Sequence, residues 1–222
     1  GTSITALSVL QEKANRLFEL KGNNSLTKSF FNEFEQVSNK SLDILTTNLN
    51  RTSNLIQNFK QIAVDQSDEK KKVTNIKSLI EECRITATSK FAQQDFELQV
   101  LGEEVMIDCY SIVLSQVMNQ LVDNSFEHYS QHGCLKINIQ INELKDSIEI
   151  VYKDSGNGIA VETSKHMFEP FNTTKRGEGN TGLGMHIVYN QVTQRLSGKI
   201  EYITIEGEGA EFIVTIPKLS TN

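Results

Sequence analysis

The chain has 222 residues, 38% of them hydrophobic and 23% charged, which suits one large soluble domain or two small ones with a packed core. Its 22 basic and 28 acidic residues leave a net charge of −6, which speaks against a nucleic-acid partner because a phosphate backbone rewards a basic surface. No apolar run approaches the roughly 20 residues that span a bilayer, and the three cysteines, Cys83, Cys109 and Cys134, lack metal-type spacing and read as reduced, cytoplasmic thiols.

Apolar residues first recur at helical spacing at Ile4, Leu7, Leu10, Ala14, Leu17 and Leu20. KGNNS, residues 21–25, stops that helix and offers an Asn or Ser to cap the next. A second stripe runs through Phe30, Phe34, Val37, Leu42, Leu45, Leu49, Ile56, Phe59 and Ile62, as in a coiled-coil seam. The pattern predicts a helical hairpin with arms of about 20 and about 40 residues, ~30 Å and ~60 Å long. The shorter arm covers the longer only to about Thr46, so Leu49, Leu55, Ile56, Phe59 and Ile62 need another surface. The expectation is that the first helix has lost its beginning and that the seam packs on a second subunit or on the following domain.

DQSDEKKK, residues 65–72, is a charged break. The predicted organisation is a hairpin over 1–65, a linker over 66–74 and a second domain over 75–222. LQVLGEEVMIDC, residues 98–109, reads as a β-ribbon turning at Gly102. SIVLSQVMNQLVDNSFEH, residues 111–128, reads as a helix. LKINIQINEL and SIEIVYKD read as paired strands, residues 182–196 as a helix, and KIEYITIEGEGAEFIVTIP as a closing hairpin. The fold class is α+β, with a mixed, largely antiparallel sheet and helices on one face.

Three segments carry candidate chemistry. DSGNGI, residues 154–159, follows a strand; by itself it reads first as an ordinary turn, and second as an Asp able to accept from an exocyclic amine beside glycines that admit a flat ring. Gly182 and Gly184 lie where a loop enters an apolar helix, with Lys175 and Arg176 upstream; bare amides there attract phosphate, although a Gly-rich connection with a solvated basic pair has the same pattern. Gln120, Asn124 and His128 share one face of the 111–128 helix by their spacing of four. An Asn amide oxygen suits Mg²⁺, or does ordinary hydrogen bonding.

In this order, Asn on a helix, DxGxG after a strand and a Gly-rich lid entering a helix resemble the Bergerat (GHKL) ATP-binding fold of sensor histidine kinases and gyrase-type ATPases. FEPF (168–171), TTKRGEGNTGLGMHIVYNQVTQ (173–194) and NSFEH (124–128) are similar to bacterial sensor histidine kinases. LQEKANRL (10–17) and NLIQNFKQIAVDQ (54–66) resemble the dimerisation hairpin of one such subgroup. The resemblance implies a four-helix-bundle type hairpin followed by an α/β sandwich with an ATP lid, and ATP and Mg²⁺ as cofactors. It implies that Asp154 binds the adenine amine, that Gly156 and Gly158 shape that wall, and that Asn124 coordinates Mg²⁺ with Gln120 beside the phosphates. Phe168 and Phe171 would begin the lid, Lys175 or Arg176 would reach the γ-phosphate, and Gly182 and Gly184 would cradle the phosphate chain. Gly207 and Gly209 would form the last glycine turn. Glu127, His128, Ile159, Thr173, Thr174 and Leu183 complete the implied nucleotide contacts. Glu127 stands where many relatives carry Lys, and Ala210 where a Thr is usual.

Such kinases phosphorylate a histidine on the first hairpin helix. The four histidines here are His128, His132, His166 and His186, so the helical half contains no acceptor. The expectation is a fragment that begins just downstream of the phosphorylation site and does not label itself stably. Gln120 stands where gyrase-type relatives place a general-base Glu, so efficient hydrolysis is not expected. The implied partners are a second copy through the hairpin and a response regulator or receiver domain. The expected location is the cytoplasm, with any inner-membrane anchor in absent upstream segments. A serine kinase of the anti-sigma-factor type and a degenerate, kinase-like dimeric scaffold are the alternatives.

Overall fold

The computed structural model describes residues 1–63, 70–129, 133–173, 181–204 and 207–218, with the backbone alone at 54, 57–63 and 161. The chain forms two compact units, a helical one that includes Gly1–Lys60 and a sheet unit that includes Gln61–Thr174 and Gly182–Asn222.

The helical unit holds α1, Thr2–Gly22, and α2, Lys28–Ala63, close to the predicted arms. The cap is Thr27 rather than the expected Asn or Ser: its Oγ1 accepts from the Phe30 N–H at 3.2 Å. Asn24 instead takes a left-handed conformation in the turn, φ 51°, which Asn tolerates better than most residues. The arms are cross-linked by Lys13, which pairs with Glu33 at 2.6 Å and lies 5.7 Å from the Phe30 ring centre. Among the described apolar side chains of this unit only Ala6 is buried, while Ile4, Phe18, Leu42, Leu49 and Ile56 are exposed. A thin core of this kind leaves much of the apolar seam facing outwards.

The first strand of the sheet unit is β1, Lys72–Asn75, which takes in the last residues of the predicted linker. Asn75 then caps α3, Ile76–Lys90, by accepting from the Ser78 N–H. β2, Phe96–Gly102, and β3, Met106–Cys109, do not pair with each other. The predicted β-ribbon is therefore corrected: β3 runs antiparallel to β1, and β2 runs parallel to β4. Gly102 has φ 107°, and a Cβ there would collide with the Ile141 carbonyl. Its glycine marks a close approach between strands, not a hairpin turn.

α4, Ser111–His128, has the predicted bounds, and it is followed by β4, Leu135–Glu143, and β5, Ser147–Asp154. The short α5, Val161–Ser164, precedes α6, Gly184–Asn190, which continues as a π-helical turn over Gln191–Arg195. β6, Lys199–Thr204, and β7, Ala210–Pro217, form the closing antiparallel pair. The main sheet has the order β2-β4-β5-β7-β6, mixed because only β2–β4 is parallel. Alternation places Ile137, Ile139 and Ile141 of β4, Ile148, Ile150 and Tyr152 of β5, and Phe212, Val214 and Ile216 of β7 on one buried face. Leu114, Val117, Met118 and Leu121 of α4 and Val188 and Val192 of the last helix join the same core. Each such side chain contributes about 1.5–3 kcal/mol by leaving water. This packing lays α4 against the buried face of the sheet, and its Ser125 reaches Asp154 at the end of β5.

Candidate functional site

Asp154 is 6% exposed and is held by three donors. Its Oδ1 accepts from the Gly156 N–H at 2.8 Å and the Ala210 N–H at 3.2 Å, and its Oδ2 accepts from the Ser125 hydroxyl at 2.7 Å. A buried carboxylate without such partners is costly. Gly156 permits this turn because a Cβ there would sit 2.9 Å from Oδ1. Gly209 has φ 92°, and a Cβ there would strike the Asp154 carbonyl oxygen. The last glycine turn thus lies directly against the end of β5. Gly158 is left-handed at φ 66°, and the Ile159 N–H donates to Thr204 Oγ1 at 2.8 Å. Thr204 donates in turn to the Gly209 carbonyl at 3.3 Å, and it pairs in register with Ala210 across the β6–β7 ladder. Asn157 Nδ2 donates to the His128 carbonyl at 2.8 Å, which fastens this wall to the end of α4.

One turn of α4 earlier, Gln120 Nε2 donates to Asn124 Oδ1 at 3.2 Å, and Asn124 Nδ2 contacts Met185 Sδ at 2.8 Å. Gly184 lies over the pair; a Cβ there would sit 2.7 Å from Gln120 Nε2 and 3.5 Å from Asn124 Oδ1. The structure therefore brings Gln120, Asn124 and Gly184 together, as it does Asp154, Gly156 and Gly209. Leu183 is buried, Glu127 is exposed on α4, and His128 is half-buried at its end.

Phe168 packs on Tyr189 and Tyr202, with ring centres 5.2 and 5.8 Å away. Its carbonyl lies 2.9 Å from His186 Nδ1, while Asn190 Nδ2 lies 3.0 Å from His186 Nε2. Asn190 Nδ2 can only donate, so Nε2 accepts and the ring proton sits on Nδ1, donating to Phe168. Phe171 is exposed with φ 65°, and Thr173 is half-buried. Gly182, φ 69°, begins no helix but closes the base of the loop: a Cβ there would lie 2.6 Å from the Phe171 carbonyl carbon. Thr174, Lys175, Arg176, Asn180 and His132 lie outside the described residues.

Sequence reasoning missed Ser125, Tyr152 and Thr204. Tyr152 is fully buried, with its hydroxyl 2.7 Å from Ser125 Oγ, and burial pushes its phenol well above the ordinary tyrosine range. The available signal was Ser125 itself, a hydroxyl one turn after Leu121 on the apolar side of α4.

The family described as histidine kinase-, DNA gyrase B-, and HSP90-like ATPase matches residues 110–220. Sensor histidine kinase ZraS of Escherichia coli O157:H7 is 38% identical over 104 residues, 47% of this chain and 22% of its own. Sporulation kinase A of Bacillus subtilis is 26% identical over 215 residues, 96% of this chain and 34% of its own. The chain thus spans about a fifth to a third of the length of these relatives. Among solved structures, the catalytic domain of histidine kinase ThkA superposes with a TM-score of 0.59 at 27% identity, covering 67% of this chain and 95% of that domain. The site geometry and these likenesses agree: the chain belongs to the histidine kinase-, DNA gyrase B- and HSP90-like ATPase family, and its ATP-binding core is of the sensor histidine kinase kind.

Proposed function

We propose that the sheet unit binds Mg-ATP and passes the γ-phosphoryl group to a histidine outside these 222 residues, as the catalytic core of a two-component sensor kinase. The observation that carries the reading is the meeting of Gln120, Asn124 and Gly184 on one side of α4, with the triply bonded Asp154 held by Ser125, the next residue of that helix. Asp154 accepts from the exocyclic amine of adenine, with Gly156, Gly158, Ile159 and Gly209 forming the wall around the base. Phe168, Phe171, Thr173, Thr174, Leu183, Glu127 and His128 border the nucleotide, and Lys175 or Arg176 meets the γ-phosphate.

Asn124 holds the Mg²⁺. That ion usually takes one or two protein oxygens and completes its shell with water and substrate phosphates, so one neutral amide oxygen beside a glycine fits it. Among the described residues no group of three or more His, Cys, Asp or Glu side chains could hold a metal by itself. When bound, the ion neutralises charge on the phosphates during transfer. Gln120 orients Asn124 and, being an amide, takes no proton from water. That favours transfer to an incoming imidazole, which needs mainly positioning.

The division into hairpin (1–65), linker (66–74) and catalytic domain (75–222) belongs to the same proposal, as does a homodimer through the hairpin. The exposed Leu42, Leu49 and Ile56 support the dimer, and the alignment with sporulation kinase A extends over the helical half. A response regulator or receiver domain takes the phosphoryl group onward. The core works in the cytoplasm, with no nucleic-acid partner and with any membrane attachment through upstream segments. Among the described residues no helix is long and apolar enough to cross a membrane. ZraS is a sensor histidine kinase and the Bacillus subtilis relative is a kinase, which does not favour the serine-kinase or scaffold alternatives.

The test is trans-phosphorylation. With Mg-ATP, the protein should place an acid-labile label on a separate hairpin that carries its histidine, and none on residues 1–65. ATP binding without any transfer to that hairpin, or an acid-labile label mapped to residues 1–65, would sink the proposal. Nucleotide titrations with and without Mg²⁺ check the role of Asn124.

A further inference from the structure

A carboxylate accepts about four hydrogen bonds, two on each oxygen. In Asp154, Oδ1 is filled by two backbone donors, Gly156 and Ala210. Oδ2 accepts from Ser125 and keeps one further acceptor position, whose direction the Ser125 bond helps to set. Ser125 is itself held. A buried helical serine commonly donates back to the carbonyl four residues earlier, and here Leu121 O lies 3.3 Å away. The carboxylate is closer, at 2.7 Å, and is an acceptor only, so the serine proton goes to Asp154. Ser125 Oγ then accepts from Tyr152, whose hydroxyl is 2.7 Å from it and 3.3 Å from Leu121 O. The result is an ordered chain, Tyr152 to Ser125 to Asp154, which joins the helix of Asn124 to the strand of Asp154. All three side chains are buried, at 0%, 5% and 6% exposure.

We propose that Ser125 and Tyr152 are positioning residues for base recognition: their paired hydroxyls fix the one acceptor position of Asp154 that reads the exocyclic amine of adenine, and so make the core selective for purines with a donor there. The proposal rests on the ATP-binding reading above. An acceptor fixed before the ligand arrives lowers the ordering cost of binding. A purine with a carbonyl at that point sets acceptor against acceptor, and a purine with only hydrogen there leaves the position unmatched.

The experiment compares ATP with purine riboside triphosphate, which lacks the amine, by titration calorimetry on the wild-type chain and on Ser125→Ala and Tyr152→Phe. The wild type should prefer ATP. Ser125→Ala should weaken ATP about tenfold, the worth of one hydrogen bond to a charged group, and leave the analogue essentially unchanged, so the preference narrows. Tyr152→Phe, which keeps the serine, should narrow it by a smaller factor. Equal weakening of both nucleotides, or an unchanged preference in both variants, would mean that the hydroxyls are only structural and would overturn the proposal. A wild type that binds ATP no better than the analogue also overturns it, while a wild type that binds neither nucleotide refutes the ATP-binding reading itself.

Discussion

Replacing Asp154 with asparagine separates the fold from base recognition. The amide oxygen can keep both backbone donors now on Oδ1, Gly156 and Ala210. The new NH₂ group faces Ser125 Oγ, which can accept from it and turn its own proton to Leu121 O, 3.3 Å away. Every buried polar group then has a partner, so only the extra strength of charged over neutral bonds is lost. That is about 1 kcal/mol, or roughly 2–4 °C in melting temperature for a unit of this size. The outer position suffers more, because it changes from acceptor to donor and meets the donor edge of adenine. The mismatch costs about 2–3 kcal/mol, or about 30- to 150-fold in affinity. A purine with a carbonyl at that position should bind the variant better than it binds the wild type. Thermal melting and titrations with ATP and GTP measure both sides. Wild-type ATP affinity in D154N, or melting lowered by more than about 10 °C, would refute the reasoning.

Gly184→Ala should leave stability unchanged or raise it, since alanine is the better helix former by about 1 kcal/mol. It should still weaken Mg-ATP about tenfold in titrations, because the Cβ displaces Gln120 from its 3.2 Å bond to Asn124. Leu49→Glu with Ile56→Glu, at positions 68% and 55% exposed, should leave helix content intact by circular dichroism. Sedimentation equilibrium should find that double variant shifted from dimer towards monomer. Tyr152 carries a pH signature. Its folded phenol is raised by burial, so the unfolded chain releases that proton first, from about pH 10. The stabilisation is complete below that pH and is lost as pH rises towards the folded value. Alkaline urea melts should therefore fall away more steeply for the wild type than for Tyr152→Phe.

Much of the sheet unit was legible because its signals are local. The apolar spacing of Leu114, Val117 and Leu121 marks α4, and strict alternation from Leu135 and from Ile148 marks β4 and β5. Two features escaped. α3 mixes helix formers such as Leu79, Glu81, Glu82 and Ala87 with Ile, Ser, Thr and Cys, so its propensity signal is diluted and its helix leans on packing against α4. β2 and β3 adjoin in sequence, yet each pairs with a distant strand, and nothing local in residues 96–109 encodes β4 or β1. The site followed the same rule. Asp154, Asn124 and the glycines stood out by residue type, whereas Ser125 and Tyr152 look like a filler serine and a strand aromatic until the fold sets their hydroxyls 2.7 Å apart.

The closure at Gly182 has a consequence for how this chain can change. Phe171 and Asn172 lie against Gly182 so tightly that no side chain fits there. Residues 171–172 and residue 182 therefore meet at one point, like a neck. Residues added between the two ends need not move Asp154 or Asn124. Doubling the length of such a loop adds only about 0.6 kcal/mol of closure cost. The neck, by contrast, accepts no Cβ. Insertions between residues 173 and 181 should be tolerated by the fold, while Gly182 itself should resist every replacement.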